Sequence, residues 1–228
     1  MRLVSVIVPT LNEQLELPGL LDHIAALRDP HEVLVVDGGS SDRTATLARD
    51  HHSRPLFTQA LGGRARQMNV GAALAHGDVL LFLHADTRLA PDALARLSAA
   101  LADACVIGGN FALRFDGGDR FSVLLGAWYA VQRRLGVYYG DSAIWVRADV
   151  FVRLGGFREV AIMEDYDFAR RLERFGRTVC LKGPALTSAR RWQGHGLPRT
   201  IAAWVLIRWL YLAGVPAHRL ARLYPQIR

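Results

Sequence analysis

Leu3 to Val8 is a short apolar run closed by Pro9-Thr10-Leu11-Asn12-Glu13, a pattern that predicts a strand and then a loop. Leu17, Leu20, Leu21, Ile24 and Leu27 follow at spacings of three and four, the apolar stripe of a helix. A second strand is expected over 32–36, and Asp37-Gly38-Gly39-Ser40-Ser41-Asp42 turns into a helix near 44–49. Residues 55–59 predict a third strand, and 62–77 a loop and helix carrying Arg64, Arg66, Gln67 and Asn69. Val79 to Leu83 is unbroken in its apolar character, as a strand covered by helices on both faces must be. Pro91 suits the first turn of another helix. Strand and helix alternate to this point, which predicts an α/β fold with a mostly parallel central sheet flanked by helices.

The pattern changes after residue 106. Phe111, Leu113 and Phe115 face one way while Asn110, Ala112 and Arg114 face the other, a half-exposed strand that begins a smaller mixed subregion. A helix is expected over 121–135, a strand over 143–147, and a further helix from the acidic cluster Glu164-Asp165-Tyr166-Asp167 to Phe175. Strands over 178–181 and 186–189 lead to Arg190-Arg191-Trp192 and the glycine-flanked His195. The run from Ile201 to Val215 holds one charge, Arg208, and the aromatics Trp204, Trp209 and Tyr211. It is shorter than the ~20 apolar residues a membrane span needs. An interfacial membrane helix or a homodimer surface fits it better, with packing onto the main domain as the remaining option. The expected division is therefore 1–195 and 196–228.

Composition narrows the partners. An apolar fraction of 51% supplies a sizeable core, and a formal net charge of +7 suits an anionic partner. Nucleic acid is not expected, because no basic tract is interleaved with aromatics and no zinc-finger spacing occurs. A nucleoside diphosphate or anionic lipid head groups fit the charge equally well. Cys105 and Cys180 lie far apart inside apolar runs. They read as reduced core residues of a cytosolic protein. The lone Arg2 does not make a secretory signal.

Three polar clusters are candidates for chemistry. The apolar run Leu80-Leu81-Phe82-Leu83 ends in His84-Ala85-Asp86, where open sheets place their ligands, beyond the carboxyl ends of the strands. The glycine turn at 37–42 can hold an anion on its amides or be a tight solvent turn. It has neither Walker nor dinucleotide spacing. Glu164 and Asp165 open a helix, where acids serve either as caps or as catalytic groups.

In order and spacing, four blocks resemble the family 2 glycosyltransferases, which have the GT-A fold. The blocks are Val6 to Glu13, Val35 to Thr44, Leu83-His84-Ala85-Asp86, and Glu164 to Asp167 with Arg170-Arg171-Leu172 behind. The chain looks similar to the bacterial subgroup associated with radical-SAM and selenium-domain proteins. The resemblance covers about residues 3–192. It implies an enzyme that passes a sugar from a UDP- or GDP-sugar to an acceptor hydroxyl with inversion, the acceptor being hydrophobic or lipid-linked. It also implies a divalent cation, Mn²⁺ or Mg²⁺. By position, Pro9, Thr10, Glu13 and Asp37 would meet the nucleotide, with Arg64 and Arg66 available to the diphosphate. Asp86 would hold the metal, joined by His84 or His195, and Asp165 would be the catalytic base beside Glu164. Arg190, Arg191 and Trp192 would close the site near the diphosphate. A cytoplasmic enzyme, peripheral at the inner face of the cell membrane, is the expected setting. Two departures stand out: Gly38 replaces the second Asp of the usual Asp-Asp-Gly, and His84 replaces the first of Asp-x-Asp. A sugar nucleotidyltransferase and a non-catalytic, membrane-peripheral scaffold remain as alternatives.

Overall fold

The computed structural model describes residues 2–116, 120–187 and 197–223. Strands β1 (Val4–Thr10), β2 (His31–Asp37), β3 (Leu56–Gln59) and β4 (Val79–Phe82) alternate with helices α1 (Leu17–Ala25), α2 (Thr44–Asp50) and α3 (Arg64–Leu74). All four strands are parallel, with β1 between β2 and β4. A short β5 (Thr87–Arg88) and α4 (Ala93–Ala100) follow. Then come β6 (Val106–Phe115), α5 (Arg120–Arg134), β7 (Trp145–Arg147), α6 (Ala148–Arg153), α7 (Glu164–Phe175) and β8 (Arg177–Thr187). These strands extend the same sheet in the order β3-β2-β1-β4-β7-β6-β8-β5. Antiparallel pairing enters at β4–β7 and β7–β6, so one mixed eight-stranded sheet contains both subregions. This is an α/β fold, with the mostly parallel sheet and smaller mixed part that the sequence resemblance implies.

The unbroken apolar strands are explained by two core clusters, one on each face. Val4, Val6, Val8, Leu81 and Leu83 point to the side of α1 and α4, where Leu20, Leu21, Ile24, Leu94 and Leu97 meet them. Ile7, Leu80 and Phe82 point to the opposite side, against Met68 of α3 and Phe168 and Leu172 of α7. The period of two along a strand thus feeds alternate residues to different layers. Arg133 fastens α5 to the sheet: it donates to Asn110 Oδ1 at 2.6 Å and Thr178 Oγ1 at 2.9 Å, and pairs with Glu173.

Two expectations need correction. The predicted strands at 178–181 and 186–189 are one strand, β8, because an irregularity between Leu181 and Ala185 absorbs Gly183-Pro184 without ending the pairing with β6. Residues 188 and 189 lie outside the described residues. Cys105 and Cys180 are exposed rather than buried. The former precedes β6 in a turn, and the latter occupies an outward position of β8.

The apolar C-terminal run forms α8 (Leu197–Leu212), followed by α9 (Ala217–Leu223). Among the described residues, no helix is long and apolar enough to cross a membrane. Ile207 and Leu220 are buried in a third cluster with Phe115, Leu125, Tyr129, Tyr139, Met163 and Tyr166. The outer side leaves Leu206, Trp209 and Leu212 exposed. A sequence apolar all round therefore serves two surroundings, one face packed on the domain and the other facing out.

The core on the α3/α7 side is dominated by aromatics. Phe82 meets Phe157 edge-on at 4.8 Å and Phe151 at 5.4 Å between ring centroids. Phe82→Ala is expected to destabilise the protein by ~3–5 kcal/mol through lost burial and the cavity left behind. Urea unfolding measures this, and a loss below ~1 kcal/mol would mean the cluster can collapse around the gap.

Candidate active site

The carboxyl ends of β1, β2 and β3 lie side by side, Thr10 opposite Asp37 and Asp37 opposite Gln59. Two loops leave this edge and are stitched together. The Asn12 amide donates to Ser40 Oγ at 2.8 Å, and the Ser41 amide returns a bond to Asn12 Oδ1 at 2.9 Å. Beside them, the Glu13 amide donates to Thr44 Oγ1 at 2.8 Å and the Gln14 amide to Asp42 Oδ2 at 3.2 Å. Asn12 takes a left-handed backbone, φ 56°, to make the exchange, a conformation Asn tolerates better than most residues.

Asp37 is fully buried beneath these loops. Its Oδ2 accepts from the Gly39 and Ser40 amides at 3.1 and 2.9 Å and from Gln59 Nε2 at 3.2 Å. Its Oδ1 accepts from Ser40 Oγ and, more loosely, Thr10 Oγ1. Burial pushes the Asp37 carboxyl up, but these donors, led by Ser40, outweigh it and hold it below the usual range. Asp37 thus shapes the loop that begins at Gly38. Pro9 and Thr10 are buried in β1, and Glu13 is partly exposed on the rim.

Gln67, noted in the sequence only as a polar residue of the 62–77 helix, takes a structural role that was not assigned to it. It is buried on α3, and its Nε2 donates to Thr10 O at 2.7 Å and Val36 O at 2.8 Å. A Cβ on Gly38 would approach the same side chain at 3.1 Å. The missing carboxylate at 38 and the glutamine at 67 are therefore linked by space. The available signal was a polar residue between Ala65 and Met68 on the inward side of α3.

The other half of the cleft is centred on Arg64, at the start of α3. Its Nε donates to Glu164 Oε1 at 2.5 Å, Nη2 lies 3.4 Å from Asp165 Oδ2, and Nη1 lies 3.3 Å from His84 Nε2. Burial opposes the charge on Arg64, yet the two carboxylates outweigh it and hold the guanidinium above its ordinary range. The Gly140 amide donates to Asp165 Oδ2 at 2.8 Å, and the Tyr166 amide to Oδ1 at 2.7 Å. Asp167 has a different occupation, paired with Arg171 at 2.7 Å and Arg158 at 3.0 Å. Arg64 was expected near a diphosphate, but in this structure it joins Glu164 and Asp165 to the end of β4. Arg66 is exposed and pairs with no acid among the described residues.

Asp86 is half-buried just beyond β4. It accepts only a long bond, 3.4 Å, from Thr87 Oγ1, and forms no ion pair among the described residues. An acid so placed fits a cation ligand. His84 turns its Nε2 towards a guanidinium instead, which does not suit that nitrogen to a metal. Arg190, Arg191, Trp192 and His195 lie outside the described residues. Among the described residues, one group of three side chains has metal-ligand spacing, Asp22, His51 and His52, and it belongs to α1 and the end of α2 rather than to this cleft.

Residues 5–157 match the family described as glycosyl transferase family 2. The chain belongs to that family. Curated relatives include the undecaprenyl-phosphate 4-deoxy-4-formamido-L-arabinose transferases of Aeromonas hydrophila, 31% identical over 159 residues, and Serratia proteamaculans, 31% over 157. Each match covers 64% of this chain and 48% of the relative; the chain spans about half the length of these family 2 proteins. Among solved structures, the mannosyltransferase PcManGT from Pyrobaculum calidifontis, in complex with GDP-Man and Mn²⁺, superposes with a TM-score of 0.73 at 22% identity. That match covers 99% of this chain and 70% of the other. S. aureus TarS 1-349 in complex with UDP-GlcNAc gives 0.64 at 17% identity, over 82% of this chain and 58% of that one. These two likenesses establish the shared fold.

The backbone at Gly140 passes close to both His84 and Asp165. A Cβ there would stand 2.8 Å from His84 Nε2 and 3.2 Å from Asp165 Oδ2. Gly140→Ala is therefore expected to displace both side chains, and to lower turnover at least ~10-fold if either serves the chemistry, while circular dichroism stays unchanged. Full turnover in the Ala variant would show that neither side chain needs its observed position.

Proposed function

We propose that this family 2 protein is an inverting glycosyltransferase, moving a sugar from a nucleotide diphosphate sugar to a hydroxyl on a hydrophobic or lipid-linked acceptor. The observation that carries the reading is Asp165. Its carboxylate is oriented by Gly140 and Arg64 beside the strand ends, with the stitched, amide-rich loops completing the cleft. In the reaction the acceptor oxygen attacks the anomeric carbon, the bond to the diphosphate breaks, and Asp165 takes the acceptor proton. A single displacement inverts the anomeric centre and needs no second nucleophile. Glu164, neutralised by Arg64, lines the acceptor side. The turn at 38–41, its amides held by Thr10, Asp37 and Asn12, offers the nucleotide a fixed backbone edge, and Pro9, Thr10, Glu13 and Asp37 form the floor and rim that position it. Asp86 would hold a divalent cation, Mn²⁺ or Mg²⁺, whose charge stabilises the departing diphosphate. Arg66, exposed on the same helix start as Arg64, is free to reach that leaving group.

GDP-Man and UDP-GlcNAc in the similar structures make UDP- and GDP-sugars the donors to try first. Membership of the radical-SAM and selenium-domain subgroup rests on the sequence motifs alone. The family match favours sugar transfer over nucleotidyl transfer, and a non-catalytic scaffold is an outcome of the test.

Asp165→Asn should cut turnover by ~10²–10⁴ with donor affinity kept, and Asp86→Ala should lose the Mn²⁺-dependent part of donor affinity. Single-turnover assays and calorimetry with UDP and GDP read these separately. Equal turnover in the Asn variant would make Asp165 a structural acid, and a product of retained configuration by NMR would end the single-displacement scheme. Donor binding without any transfer, across a screen of lipid extracts, would point to the scaffold.

The lipid-linked acceptor and peripheral inner-leaflet location draw on two supports. The relatives' names specify undecaprenyl phosphate, and exposed apolar side chains crowd α5 and α8, among them Leu124, Trp128, Val131, Leu206 and Trp209. Trp at such a surface is suited to the head-group boundary, and the chain's +7 charge suits an anionic leaflet. The protein is expected to co-sediment with phosphatidylglycerol vesicles and to be released partly at high salt. The double variant Leu206→Glu/Trp209→Glu should remain in the supernatant. Wild-type protein that stays in solution and loses a homodimer on the same substitutions would identify this face as a self-association surface instead.

A further inference from the structure

A second cluster of metal-ligating side chains lies away from the cleft. Asp22 sits in the second half of α1, and His51 and His52 follow α2, just ahead of β3. They therefore occupy the end of the sheet where strands begin, opposite the carboxyl ends that form the catalytic cleft. Asp22 Oδ1 is 3.3 Å from His51 Nε2 and 3.7 Å from His52 Nδ1. All three ligand atoms lie within 4.8 Å of one another. Zinc binds imidazole nitrogen and carboxylate oxygen at about 2.0–2.2 Å, so the edges of its tetrahedron measure about 3.3–3.6 Å. Both separations from Asp22 are close to that edge.

The surroundings suit an ion as well. The His51 side chain is 8% exposed, whereas Asp22 and His52 are largely open at 61% and 72%. One ligand is thus fixed by packing while a fourth position faces water. Ser53 Oγ lies 2.8 Å from His51 Nδ1, placed to accept its proton when Nε2 carries a metal. The Ser53 amide, 3.2 Å from the same nitrogen, favours the other tautomer, so binding requires the ring to exchange its proton. We infer that Asp22, His51 and His52 form a binding site for a borderline transition-metal dication such as Zn²⁺, distinct from the cation assigned to Asp86. Two imidazoles select against Mg²⁺, which prefers oxygen ligands. The bound ion fastens α1 to α2, the two helices that follow the stitched loops.

Isothermal titration of untagged, chelator-treated full-length protein with ZnCl₂ tests the site. One equivalent is expected to bind with micromolar affinity and to raise the melting temperature. His52→Ala, at an exposed position, should abolish this equivalent, and Ser53→Ala should weaken it at least ~10-fold through loss of the proton acceptor. Asp86→Ala should leave it unchanged. The absence of a stoichiometric zinc equivalent, or undiminished binding in His52→Ala, would reduce the cluster to a metal-free Asp–His pair. Zinc binding lost in Asp86→Ala but kept in His52→Ala would place the ion in the nucleotide cleft and overturn the proposal. None of these readings depends on transferase activity.

Discussion

The guanidinium of Arg64 reaches across one hundred residues of chain to Glu164, and the geometry of the cleft depends on that reach. Arg64 begins α3, which belongs to the alternating half of the sheet; Glu164 and Asp165 begin α7, which packs on the mixed half. Two carboxylates buried together repel one another unless a cation stands between them. Removing Arg64 would leave two largely buried carboxylates without their cation, a cost that solvent at the partly exposed guanidinium moderates. The same side chain also touches His84 at the end of β4. Charge balance in the site and alignment of the two halves are therefore one interaction.

The departures at 38 and 84 follow from this arrangement. A carboxylate at 84 would set a third acid around Arg64, whereas imidazole offers a ring nitrogen without adding negative charge. At 38, glycine leaves room for Gln67, which ties α3 to the carbonyls of β1 and β2. Both exchanges remove an acid from the cleft while retaining a side chain or contact that aligns α3. Read residue by residue they look like losses; read with their neighbours they look like adjustments of packing.

Apolar runs and the stripe of α1 made the alternating half legible: β1, β2 and β4 appear where the apolar residues put them, since each feeds two cores, while α2, α3 and β3 were placed by the alternation between them. The mixed half was less legible because a glycine-proline step usually ends a strand, and only tertiary pairing with β6 shows that β8 continues past it. Candidate chemistry was visible in its residue types, the acids at 86, 164 and 165 lying at strand and helix ends. What spacing could not reveal was partnership. Arg64 and Glu164, Gln67 and Thr10, or Asn12 and Ser40 are distant in the chain, and nothing local marks them as pairs. The C-terminal run showed the same limit, since a stripe apolar all round does not say which side is packed.

The stitched loops at 11–14 and 38–44 have a thermodynamic consequence. Reciprocal amide and side-chain bonds fix both loops when the chain folds, so their conformational entropy is lost then and not when a ligand arrives. A cleft prepared in this way takes a ligand with a small rearrangement, leaving more of the contact energy available as affinity. It also ties recognition to folding: a change that loosens one loop releases the other, so a distant lesion in either segment reaches the binding surface as disorder rather than as a lost contact.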